Sequence, residues 1–148
     1  MVEKEIVTPT AAAVISRDNK VVLVTHGEKA GHITGIKGLP SGRVEKGETE
    51  RQTVVREIGE ETNLTVSPDD LAEFEGNYFQ AKIPRKDGSV NLYGWRVFSV
   101  TSFSGEIAGN DETVPEWVPI SQIASLDEEG KLLPNVRTAI ENALREEP

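Results

Sequence analysis

Glu57, Glu60 and Glu61 place three carboxylates within little more than one helical turn of the stretch VVREIGEETNL. At about 100° per residue, Glu60 falls roughly 60° to one side of Glu57 and Glu61 about 40° to the other. All three share one arc of a helix, where like charges three and four residues apart destabilise it. A divalent cation accounts for the arrangement. Oxygen-only ligands suit hard ions, Mg²⁺ or Mn²⁺, and Mg²⁺ is held by a few carboxylates together with substrate phosphates. A solvated acidic helix face is the competing explanation.

The helix that must carry these carboxylates has a readable start. Thr49 with Gln52 three residues on fits a capping box, which predicts a helix from Glu50 to Thr62. Val54, Val55 and Ile58 occupy the arc beside the carboxylates and would anchor it on a sheet.

Gly42, Glu48 and the run Arg56-Glu57-Ile58-Gly59-Glu60-Glu61-Thr62-Asn63-Leu64 resemble the Nudix box, G-x5-E-x7-R-E-U-x-E-E-x-G-U, where U is aliphatic. Asn63 stands where the family has Gly. That position follows the helix end and takes the left-handed conformation, which Asn tolerates best after Gly.

The resemblance implies a metal-dependent hydrolase that cleaves the pyrophosphate link of nucleoside diphosphate derivatives. Glu57, Glu60 and Glu61 match the family's metal-binding glutamates, and the backbone carbonyl of Ser41 matches a further ligand position. Glu57 and Glu61 are the foremost catalytic candidates. Glu48 and Arg56 match an orienting ion pair that fastens the loop to the helix, and Gly42 permits close backbone approach. Relatives often carry an acidic residue in the loop before a comparable Trp. Here Asp111 and Glu112 precede Trp117, and Glu112 is the candidate for metal or proton-transfer work, with a solvated loop as the alternative. Glu116 reads equally as a surface charge.

Other residues are less distinctive. His26 and His32 flank a Gly-rich stretch and lack metal-ligand spacing, so they read as surface loop residues. Tyr78, Phe79, Tyr93 and Trp95 can stack a nucleobase or simply pack on the sheet. Arg17, Lys29, Lys37 and Arg96 can touch phosphates, and Tyr78 with Arg96 are the substrate-binding candidates.

The chain has 148 residues, no Cys and a net charge of −9. The length predicts one domain spanning 1–148. The lack of Cys fits a reducing cytoplasm. The first residues show neither a signal peptide nor a membrane span, so no membrane partner is expected. The acidic balance argues against a nucleic-acid polymer but not against a small nucleotide, because interposed cations let an acidic site take a polyanion.

Strand-rich, helix, strand-rich, helix is the order along the chain. Strands are predicted over Ile6 to Ser16, Val21 to Thr25, Arg43-Val44, Leu64 to Val66, Ala72 to Ile83, Val90 to Phe103 and Glu116 to Pro119. A turn at Asp87-Gly88, a short helix over Ile120 to Ser125 and a final helix over Asn135 to Arg145 complete the set. This order suggests an α+β fold, and the Nudix resemblance implies an α/β/α sandwich around a mixed sheet. Side motifs that sort Nudix subfamilies do not fit well here: Tyr78 comes early and Pro84 late. A MutT-like nucleoside triphosphate pyrophosphohydrolase, acting as a monomer or homodimer, is the leading expectation. Hydrolases of ADP-ribose, nucleotide sugars or dinucleoside polyphosphates are the alternatives. A non-cleaving nucleotide sensor is the reading from another class, and such relatives commonly lose box glutamates that this chain keeps.

Overall fold

In the computed structural model, which describes residues 6–26 and 35–145, the first apolar run becomes β1 (Val7–Arg17) at the centre of a mixed sheet. It is buried without interruption from Thr10 to Ser16, as a strand covered on both faces must be. A tight turn with Asp18 and Asn19 at φ of 52° and 62° returns the chain as β2 (Lys20–His26). Asn and Asp are the non-glycine residues that best accept such a turn. β3 (Lys37–Gly38), β4 (Ser41–Arg43), β5 (Tyr78–Pro84), β6 (Val90–Val100) and β7 (Thr113–Pro119) follow. The order is β3-β2-β1-β6-β5, with β4 also pairing β1 and β7 also pairing β2. β1 and β6 run parallel, from Val7 opposite Leu92 to Ile15 opposite Val100. The remaining strand pairs are antiparallel.

The strict alternation of β1 divides the core in two. Ala11, Ala13 and Ile15 face α1 (Glu50–Thr62), packing with Val54 and Ile58. Ala12 and Val14 face the other way, toward α2 (Ile123–Glu128) and α3 (Val136–Arg145), where Ala139, Ile140 and Ala143 close the second layer. This is the expected α/β/α sandwich.

Both ends of α1 fall where the sequence places them. The Thr49 hydroxyl accepts from Gln52 N–H, and Gln52 Oε1 accepts from Thr49 N–H. Asn63 takes φ of 70°, and its N–H donates to the Gly59 carbonyl at 3.1 Å. Asn for Gly is thus a conformational equivalence.

Two predicted strands shrink. Thr65 makes only an isolated bridge to Ser104, and β5 begins at Tyr78 rather than Ala72. Gly76 at φ of 74° turns the chain. Asn77 then spends both its backbone carbonyl and its side-chain amide on Val97, so the run breaks there.

Candidate active site

β4 carries the box loop along the flank of α1. Gly42 lies opposite Ala11 and so shares the α1 face of the sheet. A Cβ at Gly42 would stand 2.1 Å from Glu57 Oε1, so the missing side chain is the space that the Glu57 carboxylate occupies. One residue earlier, the Ser41 N–H donates to Glu61 Oε1 at 2.7 Å. Adjacent backbone positions of one strand therefore fix two carboxylates of the helix.

Arg56 is the hub of the acidic cluster. Its Nε and Nη2 grip the two oxygens of Glu48 at 2.8 and 3.0 Å, and its Nη1 reaches Glu57 at 2.7 Å and Glu60 at 3.3 Å. Glu48 also accepts from the Glu45 N–H and the Thr53 hydroxyl. The hydrogen bond from Arg56 is the main cause that holds the Glu48 carboxyl down at about 2. Through these bonds Glu48 links the box loop at Glu45 to Thr53 and Arg56 of the helix.

Glu61 is different, at 6 % exposure. Burial pushes its pKa up to about 8, with the charges of Glu57 and Glu60 adding and the Ser41 N–H opposing. Burial likewise raises Glu57, against the pull of Arg56. His26 Nε2 lies 3.4 Å from Glu61 Oε2, so the structure corrects the expectation of a surface histidine. Val22, two pairs of residues earlier in β2, packs on the α1 side. Strand alternation therefore carries His26 to the end of α1. His32 and Lys29 lie outside the described residues.

These shifts set a pH dependence. An unfolded chain releases the Glu61 proton near 4.5, whereas the folded one keeps it up to about 8. Between those values the folded state binds more protons, so stability falls as pH rises and then levels off. With divalent cations chelated, the denaturation midpoint of the native protein is expected to fall from pH 5 to 8. Glu61→Gln should lose that slope. Equal slopes in the two proteins would remove this account of Glu61.

A second segment is laid on the same helix end. Asn110 Nδ2 donates to the Glu60 carbonyl at 2.9 Å, the Thr113 hydroxyl to that of Glu61 at 3.4 Å, and the Ala108 N–H to that of Thr62 at 3.0 Å. The loop that carries Asp111 and Glu112 is thereby held to the C-terminal end of α1. Glu112 is exposed. Sequence reasoning passed over Asn110, whose only local signal is an Asn at the start of a turn.

On the opposite face of β4, a cleft opens with two lobes that share Leu39, Ser41, Trp95 and Leu133. One lobe is apolar, lined also by Phe79 and Val97, with Asn135 at its edge. The other holds Arg43, Arg85 and Tyr93. The Tyr93 hydroxyl accepts from Arg85 Nη1 at 3.0 Å. Arg85 and Asn135 were missed in the sequence because each lies in a connection between elements.

Tyr78 and Arg96, the substrate candidates from the sequence, are placed elsewhere. Arg96 sits over the Tyr78 ring at 4.8 Å and lies 3.6 Å from Glu50 of α1, across the sheet from the Trp95 side. Neighbouring residues of a strand point to opposite faces, and Trp95 is the one that meets the cleft. Lys37 is taken by an ion pair with Glu116, a half-buried carboxylate, and so is not a free phosphate ligand. Arg17 stacks on Phe103 at 3.8 Å.

The donors fit a hard divalent cation: carboxylate oxygens only, with the buried Glu61 costly to ionise without a positive partner. Glu57, Glu60 and Glu61 are the residues that would hold it, with the Ser41 backbone adjacent. Among the described residues these side chains are not gathered into a ready cage. Glu57 and Glu60 turn to Arg56, and Glu61 turns to Ser41 and His26.

The NUDIX domain model matches residues 7–139. An 8-oxo-dGTP diphosphatase of Escherichia coli K12 is 29 % identical over 110 residues, covering 74 % of this chain and 78 % of that protein. An ADP-ribose pyrophosphatase of Methanocaldococcus jannaschii is 32 % identical over 114 residues, covering 76 % of this chain but only 62 % of that protein. Among solved structures, the MutT protein of Methanosarcina mazei Go1 superposes with a TM-score of 0.76 over 98 % of both chains at 20 % identity, a likeness of fold. A family match over almost the whole chain, a box whose loop and helix meet in space, and a shared fold lead to one assignment: this chain belongs to the Nudix family of hydrolases, which cleave pyrophosphate bonds of small nucleotides and require a divalent metal.

Proposed function

We propose that the chain is a single-domain, MutT-like nucleoside triphosphate pyrophosphohydrolase that works with Mg²⁺ or Mn²⁺. The observation that carries this reading is the roomier lobe of the cleft, about 270 Å³, which runs from Tyr93, Trp95 and Leu133 to Gly42 and His26, the residues that abut Glu57 and Glu61. A flat base laid on Trp95 there would set its phosphates along Ser41 and Gly42. A chain without Cys supports the cytoplasm as its setting.

The reaction asks specific tasks of these residues. A bound cation supplies charge neutralisation at the phosphate oxygens and makes water more acidic. Glu57, Glu60 and Glu61 would hold it, and Arg56 keeps the loop and helix in register while they do. Water attacks phosphorus, the bond to the bridging oxygen breaks, and pyrophosphate leaves the nucleoside monophosphate. We assign the proton of that water to Glu112. Carboxylates that bind a cation keep little basicity, whereas Glu112 is exposed on a loop fixed to the same helix end.

The polar lobe favours a second reading. Arg85 and Tyr93 beyond Trp95 offer room and hydrogen bonds for the second half of ADP-ribose or a related substrate. All box glutamates are present, which disfavours a non-cleaving sensor.

A panel of nucleoside triphosphates, ADP-ribose, nucleotide sugars and dinucleoside polyphosphates tests the assignment. The expected result is fastest conversion of a triphosphate to monophosphate and pyrophosphate. Chelation should abolish turnover, and Ca²⁺ should support it poorly, because its looser coordination misaligns water and phosphate. A higher kcat/KM for ADP-ribose would move the enzyme to the second reading. Activity indifferent to a chelator would end both.

A further inference from the structure

We propose that Asn110 is a positioning residue for the hydrolytic reaction, fixing the loop that bears Glu112 to the metal-binding end of α1. The inference rests on the assignment of Glu112 as proton acceptor.

Asn110 joins two pieces of chain with one side chain. Its Nδ2 donates to the Glu60 carbonyl at 2.9 Å, and its Oδ1 accepts from the Glu112 and Thr113 N–H groups at 2.8 and 2.9 Å. Its own N–H donates to the Thr113 carbonyl. The peptide units on either side of Glu112 are thus pinned to an atom of the metal-binding helix. A general base has to meet its proton within hydrogen-bond reach, so an error in this tether becomes an error in the position of the base.

The choice of an amide also has a reason. The C-terminal turn of α1 has no basic residue, although helix ends commonly recruit Lys or Arg to their last carbonyls. A cation there would compete with the metal for Glu60 and Glu61. Neutral donors from Asn110, Thr113 and Ala108 satisfy the carbonyls and leave the carboxylates available.

Asn110→Ser separates the two halves of the side chain's work. Its hydroxyl can still accept from the loop N–H groups but is too short to keep the bond to Glu60. Asn110→Ser, Asn110→Ala, Glu112→Gln and the double variant Asn110→Ser/Glu112→Gln are assayed with the nucleotide the panel above ranks first. Mn²⁺ binding is measured directly by electron paramagnetic resonance. Both Asn110 variants are expected to lower kcat by about 10–100-fold, the scale of an ångström-sized misplacement, with KM and Mn²⁺ affinity close to native values. In the Glu112→Gln background, Asn110→Ser should cost little more. Native kcat in Asn110→Ser, Mn²⁺ affinity falling in step with kcat, or full additivity in the double variant would each overturn the proposal. Native kcat in Glu112→Gln would overturn the assignment of Glu112 itself, a failure distinct from that of Asn110→Ser.

Discussion

Replacing Glu61 by Gln is expected to lower kcat by about 10²–10⁴-fold, the range seen when a principal electrostatic element of an active site is removed. Gln keeps the shape and an oxygen for the Ser41 N–H that now meets Glu61 Oε1. What it removes is charge at the most deeply buried carboxylate of the cluster, 6 % exposed. The fold should survive. At pH 8 with cations chelated the variant should be at least as stable as the native protein, because a buried charge next to Glu57 and Glu60 no longer has to be borne. Glu57→Gln should gain less stability, since Arg56 already balances much of that charge. Steady-state kinetics with Mg²⁺, direct Mn²⁺ binding and a chemical denaturation curve suffice. Near-native turnover in Glu61→Gln would remove Glu61 from the metal site.

Gly42→Ala is expected to have an effect of comparable size from a single methyl group far smaller than any catalytic side chain. The new Cβ would fall 2.1 Å from Glu57 Oε1 and 2.6 Å from its Cγ. No real contact is that short, so the Glu57 side chain must swing away and surrender its bond to Arg56. The backbone at Gly42 is an ordinary strand paired with Ala11, so the sheet itself has no objection to Ala. The signature is therefore a split: kcat down by about 10²-fold or more, weaker Mn²⁺ binding, and a melting point close to native. A melting point that collapses with activity would show that Gly42 serves the fold rather than the carboxylate.

Legibility in the sequence tracked the range of the interactions. The limits of α1 were readable because both are local: a capping box over Thr49 and Gln52, and an αL residue at Asn63. The burial of β1 on both faces was implicit in its unbroken apolar run from Ala11 to Ile15. The environment of Glu61 was not readable, since Ser41 and His26 come from other strands and only the folded sheet brings them to one helix end. His26 shows the cost of judging a residue by the loop that follows it, when strand parity from Val22 carried the answer. Tyr78 and Arg96 show the reverse. A ring that can stack a base and a cation that can touch phosphate suggested a nucleotide site, yet the two stand opposite each other across β5 and β6 on the α1 side, and their stacking is with each other. Asn110 had no signal that a window of sequence can hold, because its partner Glu60 lies in another element.

The parallel pairing of β1 with β6 bears on when the enzyme comes into being during synthesis. Val7 must find Leu92 across nearly the whole intervening chain, and such distant closures are slow, because their entropy is lost before contacts repay it. The box helix is complete in sequence long before then, but the sheet beneath it, with β1 to β4 made, still lacks the central strand β6. A ribosome-bound chain that ends before β6 therefore has every residue of the box and only part of the sheet that organises them. The cation cannot serve as an early template for such a chain. It acts as a ligand of the finished fold, so raising its concentration should slow unfolding and lift the melting point while leaving the rate of folding unchanged.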